Sequence, residues 1–345
     1  MQIPQKMKAA VLYGPLDVKV EEVPTPRPKS DEALIKVDTV GICPSDIKNY
    51  VRTDGKIWFP YGPEGYGLSG HELSGTVVEI GSEVKEVQVG DRVVPEIMYP
   101  CGNCKFCKRG QFNLCQFKDH LNHGYSEYIT VKAKYLYKIP KNVSFEQAAF
   151  TEPLAVVLHT NDVIRPKPDD YILIVGAGPM GLLHLMVTKL SGAKVIVSEI
   201  NEKRLKFAKE LGADYVFNPS EVDLQEEIKR ITDFGADGVI VTIGNKSAIE
   251  SGIAAAGPAA TVAIFASAYP DITITVNPNI IHWREMKITG SYEHMPIDMV
   301  RALDLMNDRK IDPLPIVTAR FKLDEIKEAF EYVRNSQGLK AQVKP

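Results

Sequence analysis

The sequence predicts two architectures in one chain: an all-β unit, built as a small barrel, followed by a doubly wound parallel α/β unit. Three observations carry this. Helical periodicity is scarce before residue 144, and the patterned stretches there alternate with a period of two. From residue 171 onward, apolar strand-like runs alternate with helical patterns. Where that alternation begins, the apolar run Ile172 to Val175 meets Gly176-Ala-Gly178-Pro179-Met180-Gly181, and a helical pattern follows. A chain of 345 residues is long enough for two such domains.

In the N-terminal part, residues 7–40 read as strands, for example Ala33-Leu-Ile-Lys-Val-Asp-Thr-Val40, with Pro-rich turns at 24–28. Residues 75–95 read as two strands about Gly81-Ser82, with a Gly90-Asp91 turn. Three short islands interrupt the β pattern: Gly41-Ile-Cys43-Pro44-Ser45-Asp46, Gly70-His71-Glu72 and Thr151-Glu152-Pro153. Each alone is ordinary. A Cys in a turn is usually a small buried residue, and a lone His usually a satisfied one. Together they offer a thiolate, an imidazole and carboxylates. That donor set suits a catalytic zinc, which takes three or four N, S and O ligands and keeps a position open.

A fourth island holds Cys101, Cys104, Cys107 and Cys115 in the spacing C-x₂-C-x₂-C-x₇-C. Four thiolates from one short loop close a tetrahedral ion completely, so the expected role is structural. An iron–sulfur cluster is the rival, but its run continues with x₃-C-P, whereas here the fourth Cys follows seven residues and precedes Gln116. Cys43 is the fifth cysteine, and an odd count with four clustered is not a disulfide framework.

In the C-terminal part, strand signals recur at 171–175, 194–198, 214–217, 238–243, 260–265 and 286–290. Helical patterns join the first five, such as Glu202–Leu211 stopped by Gly212. The last connection carries instead a strand-like Ile272-Thr-Ile-Thr-Val276. Amphipathic helices are expected near Ile297–Asn307 and Asp324–Asn335. The glycine turn has the parts of a dinucleotide site. Gly176 permits the tight turn, Gly178 lets backbone approach a pyrophosphate, and Gly181 lets helix pack on strand. Pro179 and Met180 open the helix whose N-terminus faces the phosphates. Glu199 ends the second strand, where a carboxylate accepts ribose hydroxyls and repels a 2′-phosphate, favouring NAD over NADP. Arg204 either touches the ribose or supports a phosphate; a solvated helix charge is the bland alternative.

Hydrophobic residues make up 44% of the chain and charged residues 25%, an ordinary globular balance. A net charge of −3 makes no electrostatic case for nucleic acid or an anionic membrane. The N-terminus lacks a secretory apolar region and no stretch reads as a bilayer span, so a cytoplasmic location is expected.

These islands, in this order and at these intervals, resemble the zinc-dependent medium-chain dehydrogenase/reductase family. The likeness runs from about Lys8 to the C-terminus. It rests on Gly41-Ile-Cys43, Ser45-Asp46, Gly70-His71-Glu72, the four-Cys lobe, the Gly-Tyr-Ser-Glu-Tyr run at 124–128, Glu152-Pro-Leu154, Gly176–Gly181 and Lys287-Ile-Thr-Gly-Ser291. Glu152-Pro-Leu154 is similar to the sorbitol, threonine and butanediol dehydrogenase branch; liver-type alcohol dehydrogenases place a cysteine there.

The resemblance implies a GroES-like β-barrel catalytic domain of residues 1–153 and 294–345. A Rossmann NAD-binding domain, 154–293, would be inserted in it, with the active site in the cleft between. It implies two zinc ions per chain, a small-molecule alcohol substrate and a homodimer or homotetramer, with Ile272–Val276 either a pairing edge or a plain surface hairpin. Cys43 and His71 would bind the catalytic zinc, with Glu72 and Glu152 as direct or water-mediated ligands. Asp46 would orient His71, and Ser45 would relay the substrate proton. The chain departs from the family pattern at Pro44, where Gly is usual, and at Lys48, where a His often completes the relay. It departs again at Glu293-His294, where sorbitol dehydrogenases carry Arg-Tyr near the substrate. An acid at 293 suggests an amino-bearing polyol. The expected reaction is oxidation of a secondary alcohol of a polyol by NAD⁺. The alternatives are a threonine-type or aldose dehydrogenase, a zinc-free NADPH reductase, and a non-catalytic NAD-binding protein.

Overall fold

The computed structural model describes residues 2–53 and 59–345. The chain divides into two compact units, Met1–Ala155 with Met295–Pro345, and Val156–His294. Among the described residues no helix is long and apolar enough to cross a membrane.

The first unit is organised on the strand Glu32–Gly41. Its residues alternate, so Ile35 and Val37 enter the core while Lys36 stays outside. Along one edge it pairs antiparallel with Glu72–Ile80, from Ala33 opposite Ile80 to Gly41 opposite Glu72. The other edge is shared. Tyr128–Lys132 takes its first half, and the C-terminal strand Lys340–Lys344 takes its end, with Gln342 opposite Gly41. Val317–Lys322, Arg92–Pro95 and Leu136–Lys138 complete a seven-stranded mixed sheet. One core fills it, with Ile35, Leu73, Val77, Val93, Ile129 and Val343 among its buried members. The helix Ile326–Arg334 covers this core with Phe330, which is fully buried.

A small lobe leaves this sheet. Met98–Tyr99 pairs with Asp119–His120, and that two-residue ladder ties together the ends of the segment holding the four clustered cysteines. Inside the lobe lie only a short helix, Lys105–Lys108, and a 3₁₀ turn, Phe112–Leu114. So little secondary structure cannot hold itself together, which is the situation in which a bound ion does the cross-linking.

The second unit is a six-stranded parallel sheet. Its spatial order is Tyr215–Phe217, Lys194–Ser198, Tyr171–Val175, Ala236–Val241, Ala256–Ile264, Lys287–Gly290. Strand order reverses beside Tyr171–Val175, and that switch point is where open α/β sheets bind ligands. The helices start where the sequence supplies caps. Asn201 accepts from Lys203 and Arg204 amides, Asp223 from Gln225 and Glu226, and Asn245 from Ala248. Gly212, at φ 102°, follows the helix Glu202–Glu210 in the left-handed conformation that ends it.

Two elements differ from the sequence reading. The fifth strand begins at Ala256 rather than 260, because the register runs from Ala236 opposite Ala256 to Gly238 opposite Thr261. Gly257-Pro258 lies within the strand, where the register with its neighbour shifts. Ile272–Val276 pairs with no strand among the described residues. Ile274 and Val276 pack on the unit's core, and the Thr275 amide donates to the Glu250 carboxylate at 2.7 Å.

Candidate metal centres and nucleotide turn

Strand register assembles the first centre. Because Gly41 lies opposite Glu72, the residue just before Glu72 and the residue two past Gly41 end up as neighbours. Those residues are His71 and Cys43, and a ligand atom of each lies within 4.8 Å of the others and of a Glu72 carboxylate oxygen. Cys43 is also the N-cap of the helix Pro44–Val51. Pro44 is the first helical residue, where a missing N–H costs nothing and a fixed φ helps. The departure from Gly at 44 is therefore locally favourable.

The surroundings are rich in buried anions. Glu72, Asp46 and Glu152 are all more than nine-tenths buried. The C-terminal strand brings a cation to them: Ile42 donates to Ala341 O at 3.0 Å, and Lys340, 3% exposed, forms an ion pair with Glu72 through its Nζ. Burial disfavours charge on His71. The interactions with Cys43, then Asp46 and Glu152, outweigh that and hold its pKa well above the ordinary value. A divalent cation satisfies the same excess of negative charge, so the donor set fits zinc. Glu152 stands in the first turn of the helix Thr151–Ile164 and acts on His71 through its charge, outside the tight three-ligand group.

Around this group the wiring differs from the expectation for Asp46. One Asp46 oxygen accepts the Ser69 and Gly70 amides at 3.2 and 3.4 Å, and the other accepts the Tyr125 hydroxyl at 2.9 Å. Burial and the neighbouring Asp46 keep that phenol protonated. His71 Nδ1 instead meets Ser69 Oγ at 3.0 Å. Ser45 and Lys48 lie on the helix Pro44–Val51 three residues apart, hence on one face. Both are half-buried. Burial lowers the Lys48 pKa, with Arg52 adding to the shift and Cys43 opposing it.

The second centre is the lobe. Cys104 Sγ lies 3.5 Å from Cys107 Sγ and 3.8 Å from Cys115 Sγ, and Cys101 Sγ lies 4.0 Å from Cys107 Sγ. A tetrahedron with Zn–S bonds of about 2.3 Å has S···S edges of about 3.8 Å, whereas a disulfide needs about 2.05 Å. The spacing fits a four-thiolate zinc. The Cys107 and Phe106 amides help pull the Cys104 thiol down to about 6, while burial pushes Cys107 up to about 12.

The glycine turn is built as expected. At Gly176, φ is 103°, and a Cβ there would stand 2.6 Å from Thr242 Oγ1. A Cβ on Gly181 would run into the Gly176 carbonyl. Gly178 faces open space within 4 Å, which leaves backbone accessible to a pyrophosphate. Pro179 and Met180 start the helix Pro179–Lys189. Glu199 is 6% exposed, and its carboxylate accepts the Ala177 and Asn201 amides, each at 2.9 Å. It thus braces the turn from the end of the second strand. Arg204 is half-buried on the helix Glu202–Glu210.

Residues 29–141 match the alcohol dehydrogenase GroES-like domain, and residues 179–308 match the zinc-binding dehydrogenase domain. The chain belongs to the zinc-dependent medium-chain dehydrogenases. It is 34% identical to a sorbitol dehydrogenase from Bacillus subtilis over 95% of this chain and 94% of that one. It is 36% identical to an L-threonine 3-dehydrogenase from Pyrococcus furiosus over the same shares. A solved zinc-binding dehydrogenase from Sinorhizobium meliloti, bound to NADP, superposes with a TM-score of 0.92 at 30% identity, covering 99% of this chain and 100% of that one. This dehydrogenase is therefore a zinc-dependent oxidoreductase working with a nicotinamide nucleotide.

Glu293 and His294 lie after the last strand of the parallel sheet. Glu293 is hydrogen-bonded by the Tyr292 phenol, whose pKa is raised by burial and by that carboxylate. A local partner thus uses accepting capacity that an amino-bearing substrate would need. His294 is fully buried. Reading the sequence missed Ser69, Tyr125 and Lys340 as parts of the first centre. Tyr125 lies in the Gly-Tyr-Ser-Glu-Tyr run that carries the resemblance, and Lys340, a lysine opening an otherwise uncharged stretch before Lys344, gave a fainter signal.

Proposed function

We propose that this dehydrogenase oxidises a secondary hydroxyl of a polyol to the ketone with NAD⁺, releasing NADH and a proton. The convergence of Cys43, His71 and Glu72 to within 4.8 Å carries the proposal, because it supplies the thiolate, imidazole and carboxylate of an open zinc site. Bound there, zinc supplies Lewis acidity that lowers the pKa of a substrate hydroxyl, and the nucleotide accepts the hydride. The chain's own residues do the rest. Cys43, His71 and Glu72 hold the ion, with Lys340 keeping Glu72 in place and Glu152 adding negative charge nearby. Ser45 takes the hydroxyl proton and Lys48, on the same helix face, passes it outward. A burial-lowered pKa makes the neutral amine of Lys48 more accessible, as a proton acceptor requires. Cys101, Cys104, Cys107 and Cys115 hold the second, structural zinc.

The buried carboxylate of Glu199 supports NAD over NADP, since a 2′-phosphate would be repelled there. The polyol class follows the sorbitol dehydrogenase likeness. Threonine is the second reading, favoured by the relative at 36% identity. The unpaired Ile272–Val276 segment and the adjoining helix Pro278–Arg284, which buries no residue and leaves Trp283 74% exposed, support assembly as a homodimer or homotetramer. Five free cysteines suit a reducing, cytoplasmic setting.

The test is NADH formation across polyols, inositols, amino-polyols, threonine and aldoses, with and without a zinc chelator. A chelator-sensitive polyol as the best substrate is expected, and NADP⁺ should support it poorly. Cys43→Ala should abolish turnover while leaving NADH binding intact; full activity in that variant would sink the proposed site.

A further inference from the structure

We propose that Ser69 is the residue that fixes the tautomer and direction of His71 toward the metal, through its hydroxyl. The resemblance assigns that task to the Asp46 carboxylate. The inference rests on the reading of Cys43 and His71 as zinc ligands.

The hydrogen-bond chain leaves one solution. Ser69 is buried, 8% exposed, and its Oγ donates to the Leu121 carbonyl at 2.9 Å. A serine hydroxyl has one proton, so toward its other neighbour it can only accept. That neighbour is His71 Nδ1, at 3.0 Å. Nδ1 therefore keeps its hydrogen, and Nε2 is the nitrogen left to give up its proton and bind metal. The ring is held in plane by a donor–acceptor pair whose far end is backbone, and backbone cannot rotate away. Asp46 is spent elsewhere. Its oxygens take the Ser69 amide, the Gly70 amide and the Tyr125 hydroxyl, so it sets the position of Ser69 rather than touching the ring. The Gly124 amide donates to Ser69 O at 2.9 Å and pins the same residue from the other side.

The substitution of a hydroxyl for a carboxylate has a chemical consequence. A carboxylate partner raises the basicity of a ligating imidazole. A neutral hydroxyl accepts the same hydrogen without adding charge of its own at the ring. Ser69 is thus a positioning residue that tunes the ligand without touching the ion.

The experiment compares Ser69→Val with Ser69→Thr in the full-length, zinc-loaded protein. The two replacements have nearly the same shape, and only threonine keeps the hydroxyl. Zinc per chain is followed against graded chelator, with the four-cysteine ion as an internal reference. Ser69→Val should release one of the two ions at roughly 10- to 100-fold lower chelator strength, the usual cost of losing such a partner. Ser69→Thr should hold it near wild-type affinity. In the cobalt-substituted protein, the visible band of the open site should move in Ser69→Val and stay in Ser69→Thr. Equal zinc retention by the two variants, or loss of both ions together, would overturn the proposal by making position 69 a packing position. Cys43→Ala separates the underlying reading: if it still binds two ions, the ligand assignment itself is wrong.

Discussion

Lys340 shows what a single residue contributes here. A lysine that is 3% exposed is tolerated only with a partner, and Glu72 is that partner. Removing the ammonium leaves a buried carboxylate uncompensated, which costs about 3–5 kcal/mol. A zinc ion bound beside Glu72 supplies part of the missing positive charge. Lys340→Met should therefore destabilise the zinc-stripped protein by about that amount and the zinc-loaded protein by clearly less. Denaturant titrations with and without chelator measure both; equal losses would separate Glu72 from the metal. No periodicity marks this lysine in the sequence. Its role depends on Gln342 lying opposite Gly41, and a one-residue slip would turn the side chain to the other face.

At the scale of elements, the helix Pro179–Lys189 carries an unusual passenger. His184 is 1% exposed, has no hydrogen-bond partner on either ring nitrogen among the described residues, and stands edge-on to Phe265 with centroids 4.6 Å apart. Burial lowers its pKa to about 3. The folded state keeps this ring neutral while the unfolded chain protonates it below about pH 6.5, so the unfolded state binds more protons in that window. The proton-linked penalty from this residue is absent at neutral pH and grows as pH falls from about 6.5 toward 3. His184→Leu should raise stability at pH 7 by about 1–3 kcal/mol, because two unpaired buried nitrogens disappear. It should also flatten the decline between pH 7 and 4; parallel profiles for the two proteins would contradict this. The cysteine lobe makes the converse point. With only a four-residue helix and one 3₁₀ turn to hold it, the lobe would take its order from a four-thiolate ion. Cys104→Ser should lower Tm by on the order of 5 °C or more, as read by calorimetry, while an unchanged Tm would remove the structural role. Both elements were legible in part. The C-x₂-C-x₂-C-x₇-C spacing announced the lobe, and the glycine turn announced the helix. The early start of the fifth strand at Ala256 was not legible, since the register shift that accommodates Gly257-Pro258 is set by pairing with the neighbouring strand.

For the whole molecule, the proposed assembly turns on one surface. Trp283 and the unpaired Ile272–Val276 segment belong to the same unit and adjoin in sequence. If copies pair there, Trp283→Asp should shift the sedimenting species toward the monomer at micromolar concentration, with both zinc ions retained. A mass equal to the wild type would place the interface elsewhere. The broad plan was readable without coordinates, because periods of two and of 3.6 residues are properties of contiguous sequence. So were the glycine turn and the four-cysteine cluster, whose parts come from one short stretch each. The candidate open zinc site was readable as a set of islands, yet its internal wiring was not. Ser69 took the bond expected of Asp46, Lys340 arrived from the far end of the chain, and Glu72 rather than Glu152 joined Cys43 and His71. Those outcomes depend on strand register and on hydrogen-bond directions a few ångströms across, and only the folded chain brings such distant residues close enough to decide between them.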